Sequence, residues 1–259
     1  MKILIVGLGW TGKKMYTELV NRGHVVDHAR HTEVSDVLAN TYYDWVVNCA
    51  GFTGVPNVDA CEKEPIKTIE ANTLFPIRLL AAVEEADSRL AHFSSGCIYE
   101  GLIDDVDAKP NFFGSIYSLS KGISDSYLKD KAQVYRIRMP FTSVDESKNY
   151  LNKILKYAKT GKLIEGGLNS LTDLDEAVRV ACDLIEENAP NGPYNLVNQG
   201  VVNMHRLAEL LDIQPTWYTP EEFTKDTVAK RSNCTIPAHE KMSSLEEALR
   251  NAIKGLQNN

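Results

Sequence analysis

The chain has 259 residues, with 28 Lys+Arg against 35 Asp+Glu, a formal net charge of −7. A hydrophobic fraction of 43% and a charged fraction of 24% are those of a globular protein and exclude a disordered chain. The negative balance excludes nucleic acid as the main partner, because phosphate backbones are met by basic surfaces, and the length exceeds one bare nucleotide-binding sheet while falling short of two full domains.

Met1–Val6 passes straight into a glycine loop rather than a cleavage site, so no targeting segment is expected. Lys2–Val6 reads as a strand and Thr11–Arg22 as a helix. Between them Gly7-Leu8-Gly9-Trp10-Thr11-Gly12 is a G-x-G-x-x-G in the strand–helix context the dinucleotide motif requires. Gly7, Gly9 and Gly12 let the backbone approach a pyrophosphate, and the helix N-terminus at Trp10 and Thr11 offers free N–H groups. His24–Ala29 reads as the second strand. The residue at its tip selects the cofactor: Arg30 there suits a 2′-phosphate and hence NADPH, whereas Asp27 would take the ribose if the strand ended early.

Asp44–Asn48 reads as a third strand, followed by one long helix from about Glu62 to Asp87. Within it Leu74–Val83 is the most apolar stretch, but it contains Pro76 and Arg78 and falls short of the roughly 20 residues a bilayer needs, so no membrane span is expected. Arg89–Ser94, Ile116–Asp130 and Gln133–Arg138 continue as strand, helix and strand. This alternation implies right-handed crossovers and an α/β fold, a doubly wound parallel sheet of Rossmann type. Residues 1–140 are expected to form the NADP-binding domain. Residues 141–259 are expected to form mainly a smaller mixed α/β substrate-binding domain, with segments crossing back to the sheet.

In that second half helices are expected at about 148–159, 174–187, 204–211 and 245–256. Thr219-Pro-Glu-Glu222 has the spacing of a capped helix start, and Thr172–Asp175 a similar one. Cys49, Cys61, Cys97, Cys182 and Cys234 are odd in number and widely spaced, so neither a disulfide framework nor a metal site is expected and a reducing cytoplasm fits. His92, inside an apolar strand, reads as a satisfied core histidine.

Tyr117-Ser-Leu-Ser-Lys121 is a Tyr-x-x-x-Lys, whose spacing puts both side chains on one helix face. A phenol near pKa 10 is a poor acid–base at neutral pH, and an ammonium one turn away stabilises its phenolate. Ser95, just after a strand, is positioned to hold a substrate oxygen.

These motifs together resemble the extended short-chain dehydrogenase/reductase family. Val46-Val-Asn-Cys-Ala-Gly51 is similar to the family's Asn-Ala-Ala-Gly stretch, which implies that Asn48, Ala50 and Gly51 meet the cofactor. Asn72 is similar to its helical asparagine, and Ser94-Ser-Gly-Cys-Ile-Tyr99 to its Ser-Ser-x-x-x-Tyr element. The resemblance implies Ser95, Tyr117 and Lys121 as the catalytic triad. A closer resemblance, carried by Ala50–Glu62, Gly96–Tyr99, Pro110–Tyr117, Arg136–Pro140, Tyr194–Val202 and Arg231–Asn233, is to the bifunctional UDP-4-keto-6-deoxyglucose 3,5-epimerase/4-reductases (UDP-rhamnose synthases). More distant relatives are the dTDP-4-dehydrorhamnose reductases and GDP-fucose synthases.

It implies an NADPH-dependent, cytoplasmic, homodimeric enzyme that converts a nucleotide-linked 4-keto-6-deoxyglucose to the L-rhamnose form, with UDP the expected carrier and dTDP left open. A monofunctional 4-reductase and a non-catalytic NADP-sensing protein are the alternatives. Epimerisation at C3 and C5 needs an acid and a base on opposite faces, and donors on the C4 oxygen. Cys97, two residues past Ser95, is similar to the acid–base cysteine of these families; taken alone it reads as a small buried hydrophobe. Lys153 is similar to the lysine proposed as its partner; taken alone it reads as a solvated helix lysine. Arg231 resembles the arginine these families set on the diphosphate. Asn198 and Val201 are expected along the base and Asn57 and Asp59 at the sugar; ordinary loop polarity is the plainer reading of these four and of Arg231. Arg138 is expected on the substrate with them.

Overall fold

The computed structural model describes residues 1–258. Strand and helix alternate from the start: β1 (Lys2–Val6), α1 (Trp10–Asn21), β2 (Val25–Ala29), α2 (Val34–Asn40) and β3 (Trp45–Asn48). The single long helix expected after β3 is broken into α3 (Asp59–Lys63), α4 (Pro65–Ile69), a π-helical turn at Glu70–Leu74 and α5 (Phe75–Glu85). The breaks have local causes. Glu64 leaves helical geometry at φ −125° and ψ 57°, and Pro65 restarts the helix where its missing N–H costs nothing. Pro76 removes a donor from the α ladder just past the π turn.

The chain continues through β4 (Arg89–Ser95), a 3₁₀ turn at Gly96–Ile98, β5 (Gly101–Leu102), α6 (Ile116–Leu128) and β6 (Gln133–Ile137). It then forms α7 (Tyr150–Thr160), α8 (Leu174–Glu186), β7 (Gly192–Asn195), α9 (Met204–Leu210), α10 (Pro220–Asp226), β8 (Cys234–Thr235) and α11 (Leu245–Gln257). The sequence pattern did not single out α2, too short for a periodicity to show, or β7, which contains Pro193. Proline is tolerated there because β7 is an edge strand.

Six strands form one parallel sheet in the order β2-β1-β3-β4-β6-β7, and β5 pairs with β8 in a separate two-stranded ribbon. Successive side chains of a strand point to opposite faces, and here both faces are buried, which is why β1 and β3 read as unbroken apolar runs. Ile3, Ile5, Trp45 and Val47 pack under α1 and α8 with Met15, Leu19, Ala181 and Ile185. Leu4, Val6 and Val46 pack on the other face with Leu79, Leu80 and Val83 of α5. Truncating such a leucine to alanine costs about 2–5 kcal/mol.

The second half of the chain therefore supplies both α8 and β7 to the sheet. Lys14–Asp175 and Arg22–Asp183 ion pairs fasten α1 to α8. A further core of Phe141, Leu151, Ile154, Leu207, Leu249 and Ile253 unites α7, α9 and α11 beside the sheet.

The capping box at α10 is formed in full, with Glu222 N–H donating to Thr219 Oγ1 at 3.2 Å and Thr219 N–H to Glu222 Oε2 at 3.0 Å. At α8 the cap falls one residue later than the spacing suggested. Asp173 accepts from the N–H groups of Asp175 and Glu176, because the Thr172 hydroxyl is spent on the Leu196 carbonyl. All five cysteines are free. Among the described residues no helix is long and apolar enough to cross a membrane, and no His/Cys/Asp/Glu group could hold a metal ion.

Candidate active site

β1 and β3 are neighbours, and the connection leaving β1 runs to β2 on one side while that leaving β3 runs to β4 on the other, which opens a crevice at the carboxyl ends of β1 and β3. The glycine loop fills the floor of that crevice. Gly7 takes φ 88°, and a Cβ there would sit 2.9 Å from Ala50 Cα. A Cβ on Gly12 would lie 2.0 Å from the Gly7 carbonyl oxygen, so α1 can approach the loop only as glycine. Nothing lies within 4 Å of the position a Gly9 Cβ would take, which leaves an open face above the loop. Beside it the Trp10 Nε1 is buried without a partner. A cavity of about 570 Å³ reaches from Gly9 and Trp10 to Lys13, Lys14, Lys148 and Arg179, with Glu18, Glu146 and Asp175 also in its lining. An open glycine face and an unused donor beside a helix N-terminus fit a dinucleotide diphosphate. The cavity outside β2, about 630 Å³ among Tyr16, Asp27, His28 and Tyr43, holds none of the reacting groups.

β2 runs to Ala29, which puts Arg30 at its tip. Its side chain is 80% exposed and pairs with Glu33, Nε donating to Oε1 at 2.8 Å. The rival Asp27 sits mid-strand and accepts from the Tyr43 hydroxyl at 2.9 Å.

The end of β3 is held by two asparagines. Asn48 Oδ1 accepts from Ala50 N–H at 3.0 Å, and its Nδ2 lies 3.0 Å from His92 Nδ1. Asn72 takes both backbone groups of Phe52 at 2.8 Å and donates to Ser120 Oγ at 3.3 Å. Asn72 thus shapes the crevice through the backbone. A Cβ on Gly51 would come within 3.1 Å of Asn72 Oδ1 and 3.4 Å of Lys121 Nζ, so the Gly51 edge of the crevice faces the lysine. His92 is core, but only half satisfied: its Nε2 is buried without a partner, and burial with the nearby Lys121 holds its pKa well below the usual value.

α6 carries Tyr117 and Lys121 on one face. Its start is secured twice, by Ser118 N–H donating to Ser115 Oγ and by Ile116 N–H donating to Glu62 Oε1 at 2.7 Å. Lys121 Nζ is buried and donates to the Phe93 carbonyl at 3.1 Å. Burial lowers its pKa to about 8, against the pull of Asp125 and Cys49. Burial pushes the Tyr117 phenol up, and a hydrogen bond with Ser95 works in the opposite direction. Ser95 Oγ also accepts from Cys97 N–H at 3.1 Å, which fixes the turn after β4. Behind the triad Arg136 lies bidentate on the fully buried Asp125, to which Ser94 also donates.

Cys97 is half-buried and adjoins this group. Arg138, expected on the substrate, is instead fully buried behind it, with Nη1 donating to Cys97 Sγ at 3.3 Å and Nη2 to the Ser232 carbonyl at 2.8 Å. The neutral Tyr150 phenol adjoins both, and burial pushes its pKa up to about 12, with Arg138 opposing and Cys97 adding. Lys153 follows Tyr150 by one turn on the same face of α7. It is half-buried without an ion-pair partner among the described residues, and burial lowers its pKa. Tyr150 and Glu62 were not among the residues expected at the site; for Tyr150 its i−3 spacing from Lys153 was the available signal.

Arg231 and Asp59, both expected on the substrate, are paired with each other at 2.8 Å. Asn57 Oδ1 accepts from Asp59 N–H at 2.9 Å, and its Nδ2 lies 3.4 Å from the Tyr157 hydroxyl. Asn198 is fully buried and spends its amide on Asp173 N–H and Glu176 Oε2, both at 2.6 Å, at the start of α8. Val201 is exposed, as are Gln199 and Gly200 before it.

A model of the family described as the RmlD substrate binding domain matches residues 1–244. The trifunctional UDP-glucose 4,6-dehydratase/UDP-4-keto-6-deoxy-D-glucose 3,5-epimerase/UDP-4-keto-L-rhamnose-reductase of Arabidopsis thaliana is 33% identical over 262 residues, covering 90% of this chain and 38% of that protein. The chain thus spans well under half the length of that relative. The bifunctional dTDP-4-dehydrorhamnose 3,5-epimerase/dTDP-4-dehydrorhamnose reductase of the same plant is 34% identical over 211 residues, covering 74% of this chain and 68% of that one. The crystal structure of the L780 UDP-rhamnose synthase from Acanthamoeba polyphaga mimivirus shares the fold, with a TM-score of 0.89 at 24% identity over 98% of this chain and 99% of that chain.

Proposed function

The chain belongs to the family of the RmlD substrate-binding domain, and from that premise we propose that it is an NADPH-dependent reductase of a nucleotide-linked 4-keto-6-deoxy sugar. The observation that carries this reading is the group formed by Tyr117, Lys121 and Ser95 at the crevice edge where Gly51 faces the lysine. The two plant relatives, whose names both include reduction of a 4-keto rhamnose precursor, support it.

Gly9 and Gly51 would hold NADPH, with Arg30 on its 2′-phosphate, and the bound cofactor would supply the hydride for C4. Ser95 donates a hydrogen bond to the C4 oxygen and so stabilises the charge that develops there. Tyr117 gives its proton to the same oxygen. The phenolate left behind is stabilised by the Lys121 ammonium and by Ser95. Arg231 takes the diphosphate of the sugar nucleotide. Residues 1–140 serve mainly the cofactor and 141–259 mainly the sugar nucleotide.

A second activity, epimerisation at C3 and C5 before reduction, is favoured by one observation: Cys97 is held by Ser95 and Arg138 at the edge of the same group. Reduction alone needs neither Cys97 nor Lys153.

The test is product analysis with NADPH and UDP- or dTDP-linked 4-keto-6-deoxyglucose side by side, and with the pre-epimerised 4-keto-rhamnose form. An L-rhamnose product from the unepimerised sugar establishes both activities. Turnover of the pre-epimerised form alone marks a plain reductase. No oxidation of NADPH with any of these sugars rejects the proposal.

A further inference from the structure

We propose that Arg138 is a positioning residue for proton transfer, one that aims the Cys97 sulfur into the cleft and stabilises negative charge on it. The inference rests on the epimerisation reading for its use and on geometry for its substance.

Arg138 has no accessible surface, and among the described residues it forms no ion pair. Its neighbour two residues earlier shows the ordinary solution to the same problem: Arg136 is equally buried and lies bidentate on Asp125. A buried guanidinium without a counter-charge is costly, so the partners it does have matter. They are the Gly96 carbonyl at 3.3 Å, Ser232 Oγ at 3.1 Å, the Ser232 carbonyl at 2.8 Å, Asn169 Oδ1, and Cys97 Sγ at 3.3 Å. Only the sulfur in that set can become an anion. A guanidinium can only donate, and donation to sulfur favours the thiolate.

The head group cannot turn away. Arg138 N–H donates to Thr172 Oγ1 at 2.9 Å, Thr172 is itself tied to Leu196, and Met139 follows in a left-handed conformation at φ 42°. Other titratable groups that interact with Cys97 are Tyr117 from α6, Tyr150 from α7 and Cys234 from β8. Arg138 is the cation of this set, and it touches the sulfur.

In the step it serves, the Cys97 thiolate takes the proton from C3 or C5 and becomes a thiol. The C–H electron pair moves into the ring carbons and onto the C4 oxygen as an enolate. An acid on the opposite face, assigned to Lys153, returns a proton to carbon, and exchange with solvent restores both groups.

The test follows alkylation of Cys97 by iodoacetamide in the native protein at neutral pH, read on the Cys97 peptide by mass spectrometry. Arg138→Gln slows the reaction about tenfold, while Arg138→Lys retains part of the rate. If Arg138→Gln does not fold, the rate in Arg138→Lys against the native protein decides. Equal alkylation rates overturn the role of Arg138. Solvent deuterium incorporation at C3 and C5 of the keto sugar is the second readout, and it falls further in Arg138→Gln than NADPH oxidation does. Slowed alkylation in the variant with no exchange in the native protein rejects the epimerisation reading and leaves the hold of Arg138 on Cys97 standing.

Discussion

Arg231 lies bidentate on Asp59, Nη2 to Oδ2 at 2.8 Å and Nη1 to Oδ1 at 3.1 Å, and the same Oδ1 accepts from Ala229 N–H at 2.9 Å. Asp59 opens α3, and Glu62 on that short helix receives the first N–H of the helix that carries Tyr117. The arginine assigned to the substrate diphosphate is therefore joined through α3 to the tyrosine assigned to proton transfer. Arg231 retains 27% of its side-chain surface, the part left to meet a ligand.

Arg231→Ala is expected to raise KM for the sugar nucleotide by about 10–100-fold, the worth of a charge-assisted pair at about 1.5–3 kcal/mol. Asp59→Ala is expected to raise it less, because it frees the guanidinium, and to act on stability instead. Burial alone would raise the Asp59 pKa, but Arg231 and the Ala229 N–H hold the carboxyl below its usual range. That contribution is present above the unfolded pKa of about 3.9 and is lost as pH falls through the lower folded value. Thermal melts of Asp59→Ala should lack this acid-dependent loss. Equal rises in KM for the two variants would leave the pair as a structural clasp alone.

Arg30→Ala is expected to raise KM for NADPH by about tenfold or more and to spare NADH, since only NADPH carries the 2′-phosphate. The Arg30–Glu33 pair lies at the solvent-exposed surface, so melting should not change. Identical effects on both cofactors in steady-state kinetics would remove Arg30 from cofactor choice.

Two alanine substitutions in the glycine loop should part ways. Gly12→Ala forces a methyl to 2.0 Å from the Gly7 carbonyl oxygen, a backbone contact that cannot yield cheaply, and should cost about 1–3 kcal/mol of stability. Gly9→Ala meets nothing, so it should melt like the parent while its methyl occupies the open face and weakens NADPH binding. A fluorescence titration in which Gly9→Ala binds NADPH like the parent would show that the open face is not the cradle.

Burial brings Lys121 to about 8. Its ammonium is therefore present below that value, and kcat/KM for the free enzyme should fall as pH rises through about 8. Tyr117→Phe should lower kcat by about 10²–10⁴-fold at all pH values. The stability sign is opposite to that of an acid. Between about 8 and the unfolded value of about 10.4 the unfolded chain binds more protons, so this lysine makes stability rise with pH. Lys121→Met should flatten that slope in a series of thermal melts. A kcat/KM profile level through about pH 8 would show that the ammonium is not required.

The parallel sheet, the glycine loop and the Tyr117–Lys121 pair were legible in the sequence because each is written in neighbouring residues. An apolar run before G-x-G-x-x-G dictates a strand feeding a helix, and a spacing of four dictates a shared helix face. The long helix misread after β3 was local too, since Pro65 and Pro76 stand in the sequence where the helix breaks. What the chain alone did not disclose is how its polar side chains are spent. Arg138, Asn198, Asp59 and Arg231 all read as open groups awaiting a substrate. The fold buries the first two and pairs the last two across 172 positions. The choice of partner for a charge depends on which groups lose water together, and that is decided only when distant segments meet. Tertiary structure alone therefore put a buried guanidinium on Cys97, where the sequence showed only an arginine and a thiol 41 positions apart.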